Sequence, residues 1–190
     1  MSAGRVHDLE ATYDLDVRYT YFPLHPETPF EGRSLADLFA GREEMLAGMR
    51  SRLIALMKEE GLDYGDRTHT YNSRLAQEVA VWGDEEGVTD ALHDALYRAY
   101  FVDARNLAEA DVLVDVAESV GLDGARTRAV VEDRTHQETI DEHWQRATEM
   151  GVRGVPTFVS EGFGMVGAQP YEILEDLVHR AGAVRRRADG

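Results

Sequence analysis

Seven histidines, 36 carboxylates and no cysteine make up the reactive inventory of this 190-residue chain. Without a thiol, the chain as given can form no disulfide and carry out no thiol redox step. His136 and His143 fall seven residues apart beside Glu142. That places them two turns apart on one predicted helix, too far for a single ion. No His-x-x-x-His or His-Glu-x-x-His spacing occurs, so no metal site is expected and these histidines read as solvated. His25, between Pro23 and Pro26, is a lone histidine and weak as a signal. Phosphate-cradling glycine loops and Ser-His-Asp arrangements are not recognisable.

What remains is a backbone feature. In Gly151-Val-Arg-Gly-Val-Pro-Thr-Phe-Val159 one glycine ends a helix, a second turns the chain, and a proline opens an apolar strand. Proline cannot donate to a sheet ladder, so its place there needs a reason. A cis Val155–Pro156 bond making a tight turn is one; a trans proline on an edge strand is the other. Asn72 is a second candidate, as a substrate contact at the start of a helix. Capping that helix accounts for it equally well and is the simpler role.

The elements that would hold these residues follow from periodicity. Val17-Arg-Tyr-Thr-Tyr-Phe22 alternates and is rich in β-branched and aromatic residues, which predicts a strand. Gly4 to Tyr13 reads as a helix before it. Pro23, Pro26 and Pro29 then enforce an extended connection. No proline occurs between Phe30 and Val155, and helical spacing dominates there. Ser34 with Asp37 resembles a capping box. Met45, Met49, Leu53, Leu56 and Met57 form one stripe over Glu43 to Glu60, the methionines reading as flexible core filling, and Gly61 stops it. Leu75, Val79 and Trp82 mark the buried face of the next helix; Trp82 and Trp144 read as core. Further helices are predicted over Thr89–Val102, Glu109–Val120 and Asp123–Val131, and Thr135 with Glu138 forms a capping box for one ending at Met150. Thr157–Ser160 and Gly164–Val166 make a hairpin, and Pro170 opens a closing helix.

A net charge of −16 argues against a nucleic-acid partner. No apolar run is long enough to span a bilayer, and the lack of cysteine fits a cytoplasmic protein. Arg185-Arg-Arg187 is the one basic run and reads as a solvated tail.

The element order, with the nine residues from Gly151 to Val159, resembles the DsbA family of thioredoxin-fold proteins. Its FrnE-like and 2-hydroxychromene-2-carboxylate-isomerase-like branch is the nearest in pattern. Val17–Leu24 is similar to a core strand and its exit, Asn72–Ala76 to a helix start in the inserted lobe, and Gly167-Ala-Gln-Pro170 to the turn before the last helix. The resemblance implies an α/β thioredoxin-like domain from 1–30 and 150–183, interrupted by an all-helical domain over 31–149, with an Arg-rich tail at 184–190. It implies that Pro156 is the family's cis-proline and that Val155, Pro156 and Thr157 bind substrate, with Asn72 as a further contact. The function implied is thiol–disulfide exchange on a peptide or small thiol substrate. Alternatives in the same superfamily are a redox-dead peptide- or ligand-binding module and a glutathione-dependent isomerase or transferase, so glutathione is the one cofactor admitted. A homodimer is compatible with the pattern.

One departure from the family is large. Gly4–Glu10 is similar to the part of the first helix that follows a Cys-x-x-Cys, so the first central strand and the dithiol are missing from this chain. The expectation is that the native start lies upstream and Met1 is internal, or else that another strand fills the slot. Buried and unfilled, each orphaned backbone group there would cost about 1–3 kcal/mol.

Overall fold

The structure, a computed structural model, describes residues 2–59 and 61–186. It divides into one unit made of Met1–Leu24 with Arg146–Gly190 and a second made of His25–Gln145.

Helix α1 (Ser2–Thr12) runs into a two-residue strand, β1 (Tyr13–Asp14). The strand predicted over Val17–Phe22 does not form: residues 15–22 are irregular. β-branched and aromatic residues make a segment fit for a sheet but do not supply the sheet, and that competing requirement wins here.

The second unit opens with β2 (Arg33–Ser34) and the short α2 (Leu35–Leu38). The Ser34 hydroxyl accepts from the Ala36 and Asp37 amides at 3.1 and 3.4 Å, as the cap signal predicts. Helix α3 (Glu43–Glu59) follows, and then β3 (His69–Thr70), antiparallel to β2. The methionine stripe is not core filling: α3 buries no residue, and Met45 and Met49 are 44% and 55% exposed. Periodicity reveals an apolar face but not what covers it.

Helices α4 (Arg74–Glu85), α5 (Thr89–Phe101), α6 (Ala110–Ser119) and α7 (Gly124–Asp133) carry the core of this unit. Leu92, Leu113 and Ile140 are fully buried, and so is Val79 on α4. Gly83 lets α4 and α5 approach closely, since a Cβ there would collide with the Leu92 side chain. Asp123 caps α7 by accepting from the Arg126 amide.

Helix α8 (Gln137–Glu149) starts later than the Thr135–Glu138 signal predicts. Arg134 takes a left-handed conformation (φ 53°) that ends α7 sharply. The Thr135 hydroxyl meets the His136 ring rather than a helix amide.

The first unit resumes with β4 (Thr157–Ser160), β5 (Phe163–Val166), α9 (Tyr171–Arg180) and β6 (Val184–Arg185). β4 and β5 form an antiparallel hairpin, turned by Glu161 and Gly162 at φ 45° and 83°. Leu9 and Tyr13 pack with Leu174 and Val178 as the core of this unit, with Phe158 and Tyr171 against them. β6 pairs antiparallel with β1, Tyr13 opposite Arg185. The backbone of Arg185 and Arg186 is therefore held against the end of α1 and β1, while the two side chains remain 70% and 51% exposed. Arg186 Nε donates to the carbonyls of Glu10 and Tyr13; Arg187 lies outside the described residues. Among the described residues no helix is long and apolar enough to cross a membrane.

Candidate substrate-docking turn

The Val155–Pro156 turn is built from both sides. Upstream, Gly151 at φ 70° terminates α8, and the Val152 amide donates to the Ala147 carbonyl at 2.9 Å. Downstream, the Thr157 hydroxyl donates to the Gly154 carbonyl at 2.7 Å, clamping the loop just before the strand. The Val155–Pro156 peptide bond is cis. Pro156 cannot donate, but its carbonyl accepts from the Gly167 amide at 2.8 Å. Residues 167–170 are held in turn by Arg5 of α1, whose Nη1 donates to the Gln169 carbonyl at 2.6 Å.

That Pro156–Gly167 bond sets the hydrogen-bonding alternation of the hairpin. In an antiparallel pair, residues alternate between exchanging bonds with the partner strand and turning their backbone groups outward. Phe158 sits opposite Met165 and Ser160 opposite Phe163, in phase with Pro156, so these three face β5. The amides and carbonyls of Thr157 and Val159 consequently face the other edge of β4. Among the described residues no strand pairs with that edge. Val155 is 54% exposed and Val159 48%, and Thr157 between them is half-buried.

Asn72 belongs to the other unit. Its Oδ1 accepts from the Arg74 amide at 2.9 Å, while Nδ2 donates to the carbonyls of Thr28 at 2.9 Å and Pro26 at 3.3 Å. It opens α4 from one residue before the geometric cap, Ser73, and fastens the proline-rich 26–28 segment to the helix. The structure thus brings Val155, Pro156 and Thr157 together in one turn, while Asn72 caps α4 and ties it to residues 26–28.

Helix α4 also holds a charge cluster that sequence reading missed. Glu78 is fully buried and accepts from two arginines: Arg74 Nε at 3.0 Å, and Arg134 Nε and Nη2 at 2.8 and 2.6 Å. The Glu78 carboxylate raises the Arg134 pKa through this hydrogen bond. Arg74 further pairs with Asp141 at 2.7 Å and lies over the Trp144 ring at 4.5 Å. The Arg74–Glu78 spacing of four was the only sequence signal, and it is one that surface helices show routinely. His136 faces Glu85 at 3.2 Å, also on α4.

The family model for DSBA-like thioredoxin domains matches residues 2–179. The chain belongs to the DsbA-like thioredoxin family. Its fold is similar to a probable DsbA oxidoreductase of Streptomyces coelicolor, with a TM-score of 0.85 at 28% identity over 95% of this chain and 83% of that one. A 2-hydroxychromene-2-carboxylate isomerase shares the fold at a TM-score of 0.74 and 19% identity, over 94% and 87% of the two chains. The Bacillus subtilis protein YwbO, itself uncharacterized, is 31% identical over 111 residues, 58% of this chain and 55% of YwbO. The match therefore spans about half the length of that relative. This DsbA-like chain is thus a thioredoxin-type α/β fold with a helical insertion, and it contains no cysteine.

Proposed function

We propose that this chain is the substrate-docking part of a DsbA-type thiol–disulfide oxidoreductase. In this reading Val155, Pro156 and Thr157 present the turn against which an extended peptide or small thiol substrate lies, and the open edge of β4 receives a further strand that leads into the redox dithiol. The observation that carries it is the outward-facing Thr157 and Val159 backbone directly beyond an exposed turn. Strand addition to such an edge is a common way of holding an extended segment. With no cysteine the chain as given performs no exchange itself.

An insulin-reduction assay tests this. The chain as given should show no turnover above the dithiothreitol blank. A form carrying a designed β-strand and a Cys-x-x-Cys ahead of α1 should show turnover. Activity in the cysteine-free chain, or a folded dithiol form that stays inert, would overturn the reading. Retention of the cysteine-free chain on immobilised glutathione, undiminished by an extended peptide, would favour the isomerase or transferase alternative instead.

A further inference from the structure

Helix α3 brings an apolar surface and positive charge together. Leu46, Met49, Leu53 and Leu56, at helical spacings of three and four, line a groove of about 390 Å³. Leu35 and Phe39 line it as well. The volume lies within the range of small-molecule sites, which combine an apolar lining with a few placed polar groups.

The polar groups here share one sign. Arg50, Arg52 and Arg67 line the groove and no carboxylate does, in a chain with 36 acidic and 20 basic residues. Arg67 is held rigidly: its Nη1 donates to the His69 carbonyl at 2.9 Å and to the Tyr100 hydroxyl, and its guanidinium lies over the Tyr100 ring at 4.6 Å. Arg50 pairs with Asp66 at 2.6 Å. Among the described residues Arg52 and Arg67 form no ion pair. Guanidinium groups without a carboxylate partner, beside an apolar wall, suit an anion that carries an apolar tail.

We infer that this groove binds a small amphipathic carboxylate, an alkyl chain ending in one carboxylate group. The net charge of −16 separates this occupant from larger ones. An anionic membrane, an acidic protein or a second copy of the chain would meet the repulsion of the whole molecule. A monoanion in the groove responds chiefly to the arginines within a screening length of about 8 Å. The inference does not rest on the disulfide reading above.

The test is calorimetric titration of the full chain with dodecanoate below its micelle concentration. One saturable site is expected, with 1-dodecanol and butyrate each binding at least about tenfold more weakly, because each lacks one half of the recognition. Arg52→Gln and Arg67→Gln should each weaken dodecanoate by about fivefold to tenfold. Met49→Asp should abolish binding while leaving the far-ultraviolet circular dichroism unchanged, since that side chain is 55% exposed. Dodecanol binding as tightly as dodecanoate, or full binding by Met49→Asp and Arg52→Gln, would overturn the inference. So would a sedimenting dimer of the free chain that Met49→Asp dissociates, since the groove would then be covered by a second copy.

Discussion

The start of α4 and the start of β4 solve opposite problems. At α4, Asn72 spends its amide on Thr28, Pro26 and Arg74, and the buried Glu78 is enclosed by two arginines. At β4, Thr157 and Val159 turn their backbone groups away from β5, the one strand that pairs with β4 among the described residues. Buried polar groups must be satisfied internally, whereas an exposed strand edge can wait for a partner. The contrast separates a corner built to hold its shape from an edge built to receive something.

Substitutions at α4 should therefore act on stability, and those at the β4 edge on binding. The largest effect is expected from Glu78→Gln, which removes the carboxylate that Arg74 and Arg134 share and leaves Arg74 only its pair with Asp141. Breaking a buried charge cluster in this way costs about 3–5 kcal/mol, read as a lower midpoint in urea unfolding. Asn72→Ala should cost about 1–2 kcal/mol by releasing the 26–28 segment and the first turn of α4. Amide exchange at residues 26–28 should rise with it, and an unchanged midpoint would mean that the segment is held by other contacts.

The helical unit should also respond to acid through His93 on α5. Burial pushes its pKa below the usual value, against the opposing pull of Asp84, Asp90 and Asp94. With the folded pKa depressed, the unfolded chain takes up the proton first as pH falls. Stability from this source is thus complete above the ordinary histidine range, about 6.5, and is lost below it. The melting temperature should drop between pH 7.5 and 5.5, and His93→Phe should reduce that drop.

Val159→Pro should have the smallest effect on folding, under about 1 kcal/mol, because it deletes an amide that faces the open edge and not β5. It should nevertheless impair substrate turnover in the form that carries a dithiol.

The sequence was most legible where a single residue type dictates the backbone. Gly151 at the end of α8, Pro156 at the turn and Pro170 ahead of α9 all announce themselves through conformational limits that no tertiary contact can override. Local side-chain character was a poorer guide. Val17–Phe22 has the composition of a strand, yet becomes one only if a neighbouring strand exists. The α3 stripe has the periodicity of a buried face and lies open. Glu78 was invisible because its burial depends on Arg134, 56 residues away, taking a left-handed turn to reach it. Long-range partners decided each of these cases.

Residue-resolved amide hydrogen exchange across β4 tests the open edge most directly. Protection should alternate, with Phe158 and Ser160 slow because they donate to β5, and Thr157 and Val159 exchanging fast. Equal protection at all four amides would show the far edge already occupied, and the docking account would fail.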